Sequence, residues 1–222
     1  MTGFGLRVGR CGLRVSEAKS LKYKRQHSLI RHLSFVIYSI MAKLYLVRHG
    51  KATAGWGMQK DPGLDDLGQA QAKAAALALA PLGPLPIITS PLTRTRETSR
   101  PLAEIWGIEP LVEKRVGEIR FPSENSANRV KWLKKIMTDR WPILDEDLQR
   151  WRREVIEALC ACEMDCVVFS HFIAINAAVG HANGDDRVVS FRPDNCSITI
   201  METRVNTLTL LERGVEAVTE VR

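Results

Sequence analysis

The sequence predicts an α/β fold, a three-layer α/β sandwich with a mostly parallel central sheet. Short apolar segments typical of buried strands alternate along the chain with longer segments of helical pattern. Such alternation favours a parallel sheet covered by helices on both faces. About 45% of the 222 residues are apolar and 26% are charged, which excludes a disordered, collagenous or coiled-coil chain.

The first half of the chain combines strand patterns with clear helix boundaries. In chain order, the predicted elements are strand 43–48, a helix from Asp65 or Asp66 to Ala80, strand 87–89, helix 90–106 and strand 111–114. An aspartate at the start of the first helix can accept from its unpaired backbone N–H groups. The second helix begins at Ser90-Pro91, because the first turn tolerates proline, and ends at Gly107. Each helix therefore follows a strand in chain order, the first after a loop and the second directly.

The second half continues the pattern and ends in a hairpin. In chain order, the predicted elements are helices 126–140 and 145–162, strand 166–170, helix 172–181, and strands 197–203 and 207–211. Trp141-Pro142 separates the first two helices, and residues 204–206 form the hairpin turn. The apolar run 166–170 indicates a strand that is buried on both faces.

The net positive charge is confined to the first forty residues. The formal charge is +7 at pH 7, and residues 1–40 account for all of it, with eight Lys or Arg and one acid, Glu17. The rest of the chain is neutral and has no net charge that would attract a polyanion. We therefore expect no nucleic-acid partner for residues 43–222. If the chain binds DNA, deletion of residues 1–40 should abolish the binding.

Residues 1–42 are interpreted as a basic, disordered leader, and residues 43–222 as the folded domain, in which any functional site is expected. The leader lacks the layout of a secretory signal, but its composition is compatible with an organelle transit peptide. We favour a simpler interpretation, in which translation starts at Met41, directly before the first strand. No apolar run is long enough for a membrane span. The expected location is the cytoplasm, or an organelle if the leader is an import signal.

The cysteines do not form a recognisable framework. There are five, an odd number with irregular spacing, which favours a reducing compartment. Cys160, Cys162 and Cys166 cluster, but a zinc site usually needs a second pair, which the sequence lacks. We interpret the three as small residues at a helix end and in the next strand, and predict no metal site.

Charged residues and histidines follow several of the predicted strands. In sheets of this class, functional sites gather at the carboxyl ends of the strands. The candidate residues are Arg48, His49 and Gly50 after the first strand, Arg94 after the second, Glu118 after the third and His171 after the buried strand. Two arginines, two histidines and one carboxylate are thus expected to converge on one edge of the sheet.

These residue types suit the chemistry of a phosphoryl group. An arginine fork matches phosphate oxygens and keeps its charge. A neutral imidazole nitrogen is a competent nucleophile, and a second imidazole can donate to the phosphoryl oxygens in the transition state. A carboxylic acid with a raised pKa can protonate the leaving oxygen. Taken singly, each residue also fits a structural role, so the prediction depends on the joint pattern.

The motifs together resemble the histidine phosphatase superfamily, which is also called phosphoglycerate mutase-like. The matching segments are LYLVRHG (44–50), LDDLGQAQA (64–72), SPLTRTRETS (90–99), RVGEIRF (115–121) and VVFSHF (167–172). Their order and their placement on strands and helices match the family. The resemblance covers residues 43–211 and indicates the superfamily more specifically than the substrate.

The resemblance implies a phosphoglycerate mutase-like fold and a metal-independent phosphatase. His49 would be the nucleophile that forms a phosphohistidine, and Glu118 would protonate the leaving group and then activate water. The phosphoryl group would be bound by Arg48, Gly50, Arg94 and His171. His171 would also take part in catalysis. No metal or cofactor is implied, because arginines supply the positive charge that Mg²⁺ supplies elsewhere.

The sequence departs from the family pattern at three places. Lys51-Ala52 stands where many members have Glu-Thr, and this resembles the short phosphohistidine-protein phosphatases of the superfamily. Phe172 stands where many members have glycine, and it either narrows the pocket or packs below it. Glu118 is followed by Ile-Arg-Phe-Pro rather than by a glycine-rich turn.

Several functions remain open alongside phosphomonoester hydrolysis. A phosphohistidine-protein phosphatase is the closer alternative, so the expected partner is a small phosphorylated substrate or a phosphohistidine protein. A mutase is less favoured, because a core of about 180 residues is short for that branch. A catalytically inactive phosphate-binding module is the alternative of another class. The oligomeric state does not follow from the sequence.

The segment between Glu118 and His171 is expected to cap the site. It carries Trp132, Trp141 and Trp151 among several lysines and arginines. These aromatic side chains either form a lid for an anionic substrate or belong to the core of amphipathic helices. We favour the core for most of them.

Overall fold

A six-stranded mixed sheet organises the molecule. The computed structural model describes residues 41–55, 59, 61–120 and 129–217. The strands are β1 (Met41–Arg48), β2 (Ile87–Thr89), β3 (Leu111–Val112), β4 (Cys166–Ser170), β5 (Ile198–Arg204) and β6 (Thr207–Glu212). The helices are α1 (Asp66–Leu79), α2 (Thr93–Trp106), α3 (Arg129–Ile136), α4 (Glu146–Cys160) and α5 (Phe172–Ala182).

The sheet order is β3-β2-β4-β1-β5-β6. The first four strands in this order are parallel, while β5 and β6 form an antiparallel hairpin added to β1. The predicted α/β class and mostly parallel sheet are therefore confirmed. The register pairs Arg48 with Ser170, so β1 and β4 end side by side. The residues that follow these strands emerge at the same edge.

Helices cover both faces of the sheet, because consecutive strand residues point to opposite sides. On one face, Val47 and Phe169 pack against Leu79 of α1 and Leu102 of α2. On the other face, Leu46 and Val168 belong to the core cluster that includes residues of α4 and α5. Both strands are therefore apolar at nearly every position, as expected for a sheet buried in the middle layer.

Helix α2 begins later than the sequence predicts. The expected start was Ser90-Pro91, but the helix begins at Thr93, and Leu92 is extended with φ −73° and ψ 140°. Ser90 stays outside the helix, where its hydroxyl bonds to Thr95 and to the backbone of Leu92. The predicted end is correct, since Gly107 adopts the left-handed conformation (φ 66°) that terminates helices.

The remaining elements follow the predictions with shifted ends. β3 is shorter than expected, and a 3-10 turn follows it at Lys114–Val116. A second such turn, Trp141–Ile143, separates α3 from α4 where Trp141-Pro142 predicted a break. The start of the predicted helix 126–140 lies outside the described residues, as do residues 1–40 of the predicted leader 1–42. Its last two residues, Met41 and Ala42, belong to β1, because the strand begins two residues earlier than expected. No helix in the described ranges is both long and apolar enough to cross a bilayer.

The tryptophans between Glu118 and His171 contribute to the core. Trp141 is 1% exposed and stacks on Trp151 at 6.0 Å between ring centroids. Trp132 and Trp151 are partly buried against the same cluster, which joins α3, α4 and α5. The favoured interpretation is confirmed. The cysteines also lie as predicted, with Cys160 at the end of α4 and Cys166 opening β4.

Candidate active site

The ends of β1, β2 and β4 bring the two predicted histidines and two arginines together. The rings of His49 and His171 lie 5.2 Å apart between centroids. Nη2 of Arg94, from the first turn of α2, is 3.1 Å from Nδ1 of His171. Arg48 and both histidines are buried. The sheet order explains the convergence, because β4 lies between β1 and β2.

His49 is held by backbone bonds that leave one ring nitrogen available. Its N–H donates to the carbonyl of Ser170 (3.0 Å), and its carbonyl accepts from Nδ2 of Asn195 (2.8 Å). Nδ1 lies 2.8 Å from the carbonyl of Gly50, which can only accept, so Nδ1 carries the proton. The lone pair therefore resides on Nε2, as a nucleophilic imidazole requires.

The electrostatic environment keeps both histidines neutral. Burial, followed by the charges of Arg94 and Arg48, holds the pKa of His49 well below its usual value of 6.5. Burial, then Arg94, His49 and Arg48, does the same for the pKa of His171. At pH 7 the His49 ring is therefore neutral and keeps the lone pair on Nε2. A dianionic ligand would oppose the effect of the arginines.

Arg48 is oriented from two sides. Its Nη1 donates to the carbonyl of Pro193 (2.8 Å), and its guanidinium carbon lies 5.1 Å from the ring centroid of Phe172. Its buried Nε has no hydrogen-bond acceptor within the described part of the chain. Phe172 is itself 1% exposed, so of the two expected arrangements it packs below the site as a support for Arg48.

Glu118 is buried and its carboxyl has a strongly raised pKa. Burial raises the pKa to about 7, and this outweighs the lowering by Arg94, Arg48 and two backbone N–H groups. Those groups belong to Ile119 (2.9 Å) and to Ile173 in the first turn of α5 (3.4 Å). A carboxyl of this kind is partly protonated at neutral pH and can act as a general acid.

Gly50 serves a backbone contact that the sequence does not reveal. A Cβ on Gly50 would lie 2.6 Å from the carbonyl oxygen of Gly68, and one on Gly68 would lie 2.1 Å from that of Lys51. The start of α1 therefore packs directly on the loop that carries His49. The N–H of Gly50 donates to Oγ1 of Thr98 (3.0 Å), which further anchors this loop. A contact between Gly50 and ligand stays a prediction.

The Gly50–Gly68 contact predicts a large stability difference between two glycine substitutions. Gly68→Ala places a Cβ against backbone that cannot yield, and we expect a loss of about 2–3 kcal/mol in the free energy of unfolding. Gly55→Ala is the matched control, since nothing lies within 4 Å of its Cβ position. It should change stability by less than about 0.5 kcal/mol. Urea unfolding of both variants measures the difference, and equal stabilities would contradict the packing argument.

Lys51 is bound to two residues of α1 and its N-terminal cap. Its Nζ forms an ion pair with Oδ2 of Asp65 (2.9 Å), and its backbone N–H donates to Oε1 of Gln71 (2.9 Å). Asp65 also caps α1 by accepting from the N–H of Gly68 (2.8 Å). The hydrogen bond with Lys51, more than any other contact, lowers the pKa of Asp65. Lys51, which differs from the residue in many family members, therefore links the loop that carries His49 to α1.

Several polar residues that support the site were not singled out in the sequence. Ser90 and Thr98 lie within the segment SPLTRTRETS, so the motif contained them without indicating what they bind. Asp61 accepts from Thr93 and lies 3.8 Å from Nη1 of Arg94. Asn195 carried no recognisable signal, because it lies in an irregular loop far along the chain from His49.

The arrangement combines four chemical capabilities. It offers a neutral imidazole nitrogen, two guanidinium groups, a second imidazole and a carboxyl that is partly protonated near pH 7. The guanidinium groups can bind an anion and stabilise negative charge that develops on it. Together these groups can transfer an anionic group such as a phosphoryl group to the imidazole.

Sequence comparison identifies relatives over most of the chain. Residues 44–215 match the family described as the histidine phosphatase superfamily (branch 1). A probable phosphoglycerate mutase GpmB from Photorhabdus laumondii is 32% identical over 110 residues, covering 44% of this chain and 50% of the relative. The PE-PGRS family protein PE_PGRS11 of Mycobacterium tuberculosis is 44% identical over 79 residues, covering 33% of this chain. The matched segments thus span 50% of the first relative and 14% of the second.

Solved structures share the fold. A mycobacterial glucosyl-3-phosphoglycerate phosphatase has a TM-score of 0.59 at 22% identity, covering 79% of this chain and 100% of the other. A phosphoserine phosphatase from Entamoeba histolytica has a TM-score of 0.61 at 22% identity, covering 78% and 97%. At this identity the likeness establishes the architecture and leaves the substrate to other evidence.

Proposed function

The chain belongs to branch 1 of the histidine phosphatase superfamily, and on that basis we propose that it hydrolyses a phosphomonoester without a metal ion. Nε2 of His49 attacks phosphorus, the bond to the ester oxygen breaks, and Glu118 gives its proton to the leaving oxygen. Water then attacks the phosphohistidine, Glu118 takes a proton from it, and phosphate leaves as the N–P bond breaks. Glu118 thus regains in the second step the proton that it donates in the first.

The phosphoryl group is bound by Arg48, Arg94 and His171 in this proposal. Arg48 offers Nε, a buried donor without an acceptor among the described residues, and Arg94 extends from the first turn of α2 toward His171. Two fixed positive charges stabilise the transferring group, which is the role that a metal ion has in other phosphoryl transfer enzymes. Excess EDTA should therefore leave the hydrolysis rate within about twofold.

One observation carries the choice of an ester substrate, namely the raised pKa of Glu118, about 7. An alkoxide is a poor leaving group and needs a proton, which this carboxyl can supply at neutral pH. A phosphohistidine has a better leaving group and depends less on an acid. The buried Glu118 therefore favours a phosphomonoesterase over the alternative, a phosphohistidine-protein phosphatase.

A direct comparison of substrates tests this proposal. Phosphate release from an alkyl monoester such as phosphoserine, from an aryl phosphate and from a phosphohistidine peptide should be measured with EDTA present. We expect hydrolysis of both esters, with the alkyl ester most dependent on Glu118. Turnover of the phosphohistidine peptide alone would favour the alternative. No turnover of any of the three would favour an inactive phosphate-binding module.

A mutase is distinguished by the fate of the phosphoryl group. Relatives of this chain are named probable phosphoglycerate mutase, whereas structural neighbours are named phosphatases. With 3-phosphoglycerate, a mutase forms 2-phosphoglycerate and releases little inorganic phosphate, while a phosphatase releases phosphate stoichiometrically. We expect release, and isomer formation without release would contradict the proposed hydrolase.

A further inference from the structure

Ser90 is a fully buried serine, between β2 and α2, whose hydroxyl contacts His171. Its Oγ lies 2.7 Å from Nε2 of His171, 2.8 Å from Oγ1 of Thr95 and 3.2 Å from the backbone nitrogen of Leu92. The reaction steps proposed above assign no role to this side chain. Its hydrogen bonds nevertheless determine where the proton of the imidazole resides.

The direction of each bond around Ser90 follows from its neighbours. The N–H of Leu92 can only donate, so Ser90 accepts there. Oγ1 of Thr95 lies 2.7 Å from the carbonyl of Leu92 and 3.1 Å from that of Ser90, so its own proton is directed at a carbonyl. The Ser90 hydroxyl then donates to Thr95 and is left to accept a proton from Nε2 of His171.

The opposite side of the imidazole ring leads independently to the same proton position. Nη2 of Arg94, which can only donate, lies 3.1 Å from Nδ1 of His171. Nδ1 must therefore accept, and in a neutral ring the proton then belongs to Nε2. The ring is neutral because burial and the nearby charges of Arg94 and Arg48 disfavour the imidazolium. In the Nδ1–H tautomer, two N–H donors would face each other.

We propose that Ser90 is a positioning residue that holds His171 in the Nε2–H tautomer and keeps Nδ1 directed at Arg94. Because Nδ1 in turn accepts from Nη2, Ser90 orients the guanidinium of Arg94 through the imidazole. Its hydroxyl therefore aligns Arg94, one of the groups that bind the phosphoryl group, through the ring of His171. In the neutral ring Nδ1 carries no proton, so His171 itself can donate to the phosphoryl group only after protonation, which a dianionic ligand favours. Only the expected effect on turnover rests on the proposed phosphatase function, since the tautomer is defined without substrate.

Nitrogen NMR of the histidine side chains tests the tautomer directly. The full chain labelled with ¹⁵N is compared with its His171→Asn variant, which identifies the His171 signals. We expect the wild type to carry the proton on Nε2, with Nδ1 unprotonated. A wild-type His171 with its proton on Nδ1 would overturn the proposal. Because it uses the wild type, this test of the tautomer does not depend on whether Ser90→Ala folds.

Ser90→Ala then tests the positioning role against a matched control. Ser99→Ala removes another buried serine hydroxyl, which donates to the carbonyl of Arg96 within α2. We expect Ser90→Ala to give a mixture of His171 tautomers and to lower kcat about 10- to 100-fold, with KM changed less than about threefold. The control should retain the tautomer and change kcat less than about twofold.

Unchanged tautomer and kcat in Ser90→Ala would overturn the positioning role. A purely structural role of the hydroxyl would lower the stability of both serine variants without altering the imidazole spectrum of either. If the tautomer behaves as expected but the wild type hydrolyses no phosphoester, the tautomer assignment stands and the proposed function fails. The two proposals are therefore tested separately.

Discussion

Replacement of His49 by alanine is expected to lower the hydrolysis of an aryl phosphate by about 10⁴-fold or more, because the attacking atom is removed. Nε2 is the only imidazole nitrogen of His49 with a lone pair, since Nδ1 donates to the carbonyl of Gly50. Arg48 and Arg94 would still bind the substrate in the variant. KM should therefore change far less than kcat.

The phosphoenzyme provides a second measurement of the same prediction. Rapid acid-free quenching of the wild type with a ³²P-labelled substrate should trap a label that is stable in alkali and labile in acid, as a phosphoramidate is. His49→Ala should carry none. His181→Ala is the matched control, because His181 lies at the exposed end of α5 and should keep both label and activity. Equal rates in wild type and His49→Ala would remove His49 as the nucleophile.

Glu118→Gln is expected to lower the hydrolysis of an alkyl phosphomonoester by about 10²- to 10⁴-fold. The amide keeps the size of the side chain but cannot donate a proton to the leaving oxygen. An aryl phosphate has a better leaving group, so the rate of its first step should fall much less in the variant. The first step is reported by kcat/KM, and a loss of kcat/KM that is equal for alkyl and aryl esters would contradict the role of Glu118 as the acid.

The raised pKa of Glu118 also predicts a pH profile. As the acid, Glu118 must be protonated, and its pKa of about 7 means that this form is lost as pH rises through 7. The rate for an alkyl ester should then fall about tenfold per pH unit above that point. Glu118→Gln should remove this fall in rate above pH 7. On the acid side, His49 has a pKa well below 6.5, so protonation of the nucleophile limits the rate only at lower pH.

The secondary structure followed closely from local patterns. The run 166–170 is apolar except for Ser170 at its end, and it forms the strand with the predicted bounds in the middle of the sheet. Gly107 ends α2 because a left-handed residue is needed there. The start of α2 was misplaced by three residues, since the hydroxyl of Ser90 bonds to groups that local patterns do not identify. Local propensity therefore decides the elements, and side-chain contacts decide where some of them begin.

The amino-acid order alone was enough to establish the fold class and the set of candidate groups, because hydrophobic periodicity and the residues after each strand are local properties. The proximity of those groups depends on the strand order, which places β4 between β1 and β2. Asn195 reaches the carbonyl of His49 across 146 positions, and Ser90 reaches His171 across 81. The raised pKa of Glu118 also depends on the tertiary structure. Desolvation raises it, and only tertiary packing removes water from a carboxyl.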